Sequence, residues 1–219
     1  MTIESFDLIS SNQSTTTTIR EHIDHMIDEL LVSFPSPAQL SDQERRGIIA
    51  RYTAVLEGNF IYWMTAAYLC AGSEEAHSII QDNLLEEVRD NHPGMLRKFA
   101  VAAHAVPTDS DALAVYRDLD NVREFVAGLS AVRILPMMAF FEGFITRFMP
   151  HLAELAKRRG STEQEYTDVH GVCDIVHTEE LFRALQAEIA VAPSPLPPAD
   201  SLLEGVDLLR ALIRTVVIG

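Results

Sequence analysis

Cysteine is scarce in this chain: two in 219 residues, Cys70 and Cys173, both within apolar patterns of helical spacing. That excludes a disulfide framework and any Cys-x-x-Cys motif, and makes a reducing cytoplasm the expected compartment. Positive charge is scarce too. Lys and Arg number 17 against 32 Asp and Glu, a net charge of −15. Nucleic-acid backbones and anionic membrane surfaces need clustered cations, so neither is an expected partner. No apolar run reaches the roughly 18 residues of a membrane-spanning helix. Residues 1–18 carry neither the basic nor the apolar stretch of a signal peptide and are expected to form a flexible lead-in. Gly-rich phosphate loops, nucleophile elbows and internal repeats are missing as well.

What remains is 47% hydrophobic and 22% charged, enough for one domain with a substantial core over residues 19–219. Apolar residues recur at helical spacing nearly everywhere, and no stretch alternates as a strand would. Ile23, Met26, Ile27, Leu30 and Leu31 mark a first helix, broken by Pro35 and Pro37. Ser41 with Glu44 forms a capping box for a second, predicted to run on to Ala71. A third begins near Ser73, with Pro93 either kinking it or opening a new segment. A short helix over 112–119 and a very long one over 122–159, containing Pro136 and Pro150, come next. Gly160 and Ser161 stop that helix and cap the following one, residues 162–190. Pro193 to Pro198 is a rigid linker before a closing helix over 202–218. The expectation is an all-α bundle of about seven helices.

Four places offer carboxylate or imidazole to the interior. In the sixth of these helices, Asp174 lies about 40° from His170 around the axis and His177 about 20° to the other side. Two imidazoles and a carboxylate thus share one stripe, which also reads as an ordinary polar face. Val172, Ile175 and Val176 between them are apolar, so the stripe need not lie at the water surface. Glu142 stands alone among Phe140, Phe141, Gly143 and Phe144. In a core it needs a metal or a counter-charge such as Arg147. Glu86 and Glu87, with His92, are the third place. Glu57 is the fourth and reads equally as a solvated position. Three histidines and three carboxylates suit two Fe(II) ions, since imidazole and carboxylate bind Fe(II) and carboxylates can bridge.

Asn83-Leu84-Leu85-Glu86-Glu87, then His92-Pro93, then Glu142, then His170-x3-Asp174-x2-His177 resembles the haem-oxygenase-like di-iron oxidases. These are relatives of haem oxygenase and of the thiaminase-like and pyrroloquinoline-quinone-synthase-like proteins, which carry no iron pair. The resemblance covers about residues 50–190. It implies a haem-oxygenase-like bundle holding two Fe(II) ions, with dioxygen as co-substrate and an external electron donor as a further partner. The family motif places the ligand at Glu87. Its usual ligand pair is seven residues apart, whereas Glu87 precedes His92 by five and Glu86 by six, so both glutamates stay candidates. By the same resemblance the substrate is a small molecule of natural-product biosynthesis. An aromatic amino acid, converted to a nitrile, fragmented or N-oxygenated, is expected, with a fatty-acid decarboxylase or a metal-free ligand-binding bundle as alternatives. Tyr62, Trp63, Phe140, Phe141 and Phe144 are candidates for the pocket, and each also reads as core packing. Arg133 and Arg147 are candidates to receive a substrate carboxylate. Cys173, off the ligand stripe, reads as packing. A homodimer is compatible with all of this.

Overall fold

The computed structural model describes the backbone of residues 3–219 and the side chains of residues 15–219. The chain is all-α, and the described residues form nine helices. They are α1 (Ile3–Val32), α2 (Asp42–Leu56), α3 (Asn59–Cys70), α4 (Glu74–Arg89) and α5 (His92–Ala102), then α6 (Asp109–Ala127), α7 (Ala131–Arg158), α8 (Glu165–Val191) and α9 (Ala199–Ile218). Where a lead-in was expected over residues 1–18, the backbone is already helical from Ile3. Met1, Thr2 and the side chains up to residue 14 lie outside the described residues. No described helix is long and apolar enough to cross a membrane.

Helix starts follow their caps. The Ser41–Glu44 capping box is formed, with the Ser41 amide donating to Glu44 Oε2 at 2.7 Å. A second box, Thr108 with Asp111, opens α6 earlier than expected, because Asp at the third helical position reaches back as Glu does. The helix expected over 42–71 is two. Gly58 at φ 89° ends α2, a left-handed conformation that costs glycine nothing. Asn59 Nδ2 then donates to the freed Val55 carbonyl at 2.6 Å. Pro93 opens a fresh segment: α4 ends at Arg89, Asn91 turns left-handed at φ 55°, and Pro93 sits in the first turn of α5. The helix expected over 122–159 also breaks, at residues 128–130, where Leu129 has φ 47°. Beyond that break α7 runs unbroken through both prolines.

The core is built on α7, which lies along α8 and is flanked by α9, α1, α3 and α2. Phe140, Phe144 and Phe148 stack one turn apart on it, with ring centroids at 6.5 and 4.9 Å. Each fully buried ring of this kind contributes roughly 1.5–3 kcal/mol of burial. Gly143 sets how closely α7 can approach its neighbours. A Cβ there would stand 3.1 Å from Ile27 of α1 and 3.7 Å from Thr178 of α8. This close seating brings Glu142 of α7 against the ligand stripe of α8.

Candidate metal centre

The segment of α8 around the stripe is built inside out. His170, Asp174 and His177 are buried, whereas Val172, Ile175 and Val176 are 70, 54 and 58% exposed. The apolar residues expected to keep the stripe from water therefore face outward, and the polar ones are the helix's inner face. Hydrophobic burial alone would rotate this segment the other way.

His170 donates from Nδ1 to the Tyr166 carbonyl at 2.8 Å, which leaves Nε2 as the free acceptor. Burial, followed by the nearby His92, pushes its pKa down to about 4, so the ring stays neutral as a metal ligand must. Tyr166 is itself held by a 2.9 Å hydroxyl contact with Tyr52. His92 faces His170 with ring centroids 4.5 Å apart, and its Nδ1 lies 2.6 Å from Glu87 Oε1. Burial works against a charge on His92. The bond to Glu87, the charge of Glu87 and that of Asp174 outweigh it and raise the imidazole. Donor atoms of Glu87, His92 and His170 all lie within 4.8 Å of one another.

A second group adjoins the first. His177 Nδ1 stands 3.9 Å from both Glu142 Oε1 and Asp174 Oδ1, and its Nε2 stands 3.5 Å from Glu86 Oε2. Cys173 Sγ donates to Asp174 Oδ1 at 3.0 Å. Asp174 Oδ2 is buried without a hydrogen-bond partner. Burial first, then the charges of Asp174 and Glu87, hold the Glu142 carboxyl far above the carboxylate range. Burial likewise pushes Asp174 up to about 8. No Lys or Arg among the described residues pairs with Glu86, Glu87, Glu142 or Asp174; their ionic neighbours are imidazoles. Arg147, the counter-charge weighed for Glu142, is bound instead to Asp24 and Asp28 of α1. Such a group fits a cation. Four carboxylates balance the charge of two divalent ions, and Asp174 Oδ2 is a buried carboxylate oxygen with no N–H, O–H or S–H donor on it.

All seven predicted ligand residues thus meet, on four helices. Glu87 is buried against His92, whereas the side chain of Glu86 is 37% exposed and reaches the cluster beside His177. The short spacing to His92 is absorbed by the left-handed Asn91. A cavity of about 30 Å³ adjoins Glu87, His92, Glu142 and His170, and its apolar wall comes from Leu56, Phe60, Ile61, Leu96, Phe141 and Ile145. Of the residues expected to line a pocket, Phe141 is on this wall. Tyr62 is 42% exposed instead, its neighbour Ile61 taking the inward place. Trp63 is core, edge-on to Phe141, and Phe140 and Phe144 belong to the stacked row of α7. Arg133 is withdrawn as a carboxylate receptor: it binds Glu204 and the Ser201 carbonyl of α9 and covers the Phe125 ring. Arg147 is withdrawn too, since α1 acids occupy it.

Sequence reasoning missed Tyr166 and Phe60. Tyr166 had a signal, being one turn before His170 on the same stripe. Phe60 had none, because the Gly58 break decides which way α3 faces. No family model matches the chain, and no curated protein or solved structure is detectably similar to it.

Proposed function

We propose that the chain is a non-haem di-iron enzyme, an O2-dependent oxidase or oxygenase of a small molecule. The observation that carries the proposal is the inverted segment of α8, which buries His170, Asp174 and His177 while exposing Val172, Ile175 and Val176. A fold that hides polar groups and exposes apolar ones needs a compensating interaction, and a metal bound by the hidden groups supplies one.

In this reading His92 and His170, with Glu87, would hold one ion, and Asp174 and His177 the other; Glu142 lies on the Asp174 side of His177, and Glu86 stands at the opposite ring nitrogen. The 2.6 Å contact between Glu87 and His92 gives Glu87 a second way to serve, by fixing the tautomer and orientation of a ligating imidazole. The Tyr166 carbonyl does the same for His170. When bound, the iron pair would supply the reduction of dioxygen and the oxidation of the substrate, with reducing equivalents from an external donor. The protein's share is to hold the His170 imidazole neutral, to release protons from the Glu142 and Asp174 carboxyls on metal binding, and to keep water out with Leu56, Phe60, Ile61 and Phe141.

The cavity of about 30 Å³ has space for a molecule the size of dioxygen, a water needing about 10–15 Å³ by the same measure. For the organic substrate we propose an amino acid with an aromatic side chain, admitted beside the metal ligands only when the wall of Phe60 and Phe141 moves apart, because a cavity of about 30 Å³ is far smaller than such a molecule. The second reading is an aliphatic acid, favoured by Leu56, Ile61, Leu96 and Ile145 in the same wall. Metal-free protein reconstituted anaerobically is expected to bind close to two Fe(II) per chain, and to take up dioxygen faster with its substrate than without. Binding of one iron or none overturns the di-iron assignment. Screening both amino and aliphatic acids for stimulated uptake, with mass spectrometry of products, separates the two substrate readings.

A further inference from the structure

Beside the second group of donors stands a sulfur that the reading above leaves idle. Cys173 turns inward from α8, next to the outward Val172, and is half-buried. Its Sγ lies 3.0 Å from Asp174 Oδ1. Sγ, an Asp174 oxygen and a ring nitrogen of His177 all lie within 4.8 Å of one another. Ligands that share an ion at roughly 2.0–2.3 Å are themselves about 3–4.5 Å apart. Two of these separations, 3.0 Å from Sγ to Asp174 Oδ1 and 3.9 Å from Asp174 Oδ1 to His177 Nδ1, fall in that range. A second sign is the buried Asp174 carboxyl, whose Oδ2 takes no hydrogen bond from any thiol, hydroxyl or N–H and whose further partner is another carboxyl, that of Glu142, while Oδ1 accepts from the Cys173 thiol.

We propose that Cys173 is a metal ligand, giving a thiolate to the ion on the His177 side of the cluster, alongside Asp174 and His177. The inference rests on the metal-binding reading of this site and deepens it. On binding, the S–H bond breaks as the metal–sulfur bond forms, and the proton leaves to solvent; no electrons are transferred. A coordinating thiol is deprotonated outright by its metal. The two subsites then differ in kind. Glu87, His92 and His170 make a nitrogen–oxygen site, while the neighbouring site adds a soft donor that favours Fe(II) or Zn(II) over harder ions such as Mg(II) and Mn(II). That difference gives the ions an order of binding and separate metal preferences.

The test titrates the metal-free full chain with Co(II) under anaerobic conditions, because thiolate bound to cobalt shows a charge-transfer absorption in the near ultraviolet. The wild type is expected to develop this absorption as one of its two cobalt ions binds, and Cys70→Ala to retain it. Cys173→Ala and Cys173→Ser are expected to lose it, with affinity for one ion falling by about tenfold or more and the other unchanged. Circular dichroism of the variants shows whether the helices persist. Two cobalt ions bound without the absorption, or an absorption that survives Cys173→Ala, overturns the thiolate and leaves the two-metal reading standing. Failure of the wild type to bind cobalt at all overturns both.

Discussion

At the centre the raised carboxyls and the lowered His170 imidazole respond to protons in opposite senses, and their balance is measurable. Asp174 is raised in the folded chain to about 8 from an ordinary value of 3.8. The folded state therefore holds more protons than the unfolded one across that range, and stability falls as pH rises through it. His170 is lowered to about 4 from 6.5. There the unfolded state holds more protons, so stability rises with pH between those values. The two oppose each other below pH 6.5, and above it the effect of the carboxyl is left, joined by that of the raised His92. Metal-free protein is expected to lose stability from about pH 6.5 to about 8, read as the free energy of chemical denaturation at each pH. Metal reverses the sense, because ligand protons leave on binding, so iron affinity should rise over the same window. Metal-free stability that is flat or rising there would contradict the buried, uncompensated carboxyls. Glu142→Gln supplies the companion measurement. Removing this titratable carboxyl should shrink the fall, while lowering iron stoichiometry below two.

At the scale of the element, the junction between α4 and α5 decides whether two glutamates and a histidine can meet. Asn91 has φ 55° and ψ 46°, and the turn it makes lets His92 face Glu87 across only five residues. Asparagine and glycine tolerate this conformation, whereas a β-branched residue does not. Asn91→Gly should therefore keep both stability and metal content. Asn91→Val should cost on the order of 1–3 kcal/mol and lower the affinity of the Glu87, His92 and His170 group. Thermal denaturation and metal titration of the pair of variants check this. Equal behaviour of Val and Gly would mean that the left-handed turn is not what seats His92. The same reasoning separates Arg133 from the site. Bound to Glu204 on α9, it should yield an Arg133→Ala variant with unaltered metal stoichiometry and unaltered substrate-dependent oxygen uptake.

For the whole molecule, the aromatic row of α7 is the structural centre, and the candidate metal-binding group lies on another face of the same helix, at Glu142. Phe148 is fully buried, stacked on Phe144 and in contact with Tyr52 and Phe34. Phe148→Ala should cost about 3–5 kcal/mol, seen as a lower denaturation midpoint at unchanged slope. Tyr62→Ala, by contrast, should stay within about 0.5 kcal/mol, since its ring is largely at the surface. A large effect at Tyr62 would place that ring in a contact the fold does not show. Both variants should retain two-metal binding at low temperature, because neither touches a candidate ligand.

Much of this protein was determined locally and so was legible without a fold. Helical periodicity, the Ser41 cap, the stop at Gly160 and the shared stripe of His170, Asp174 and His177 depend on residues within two turns of each other, which is the range over which spacing dictates geometry. The meeting of Glu142 with that stripe was inferred from a charge in an apolar run, an argument about burial rather than contact, and it agrees with the structure. What the tertiary structure alone decided is direction. Gly58 breaks a helix that periodicity reads as continuous, and that break turns Phe60 and Ile61, not Tyr62, toward the cavity. Packing of α1 and α9 captures Arg147 and Arg133, which on a single helix stood as equal candidates for the substrate. Most of all, the facing of α8 could not be read from its sequence. Val172, Ile175 and Val176 predict the buried side by hydrophobicity, yet they face water, because the carboxylates and imidazoles of α4, α5 and α7 wait on the opposite side. A helix's preferred face is a sum over all its neighbours, and those neighbours are known only once the chain has folded.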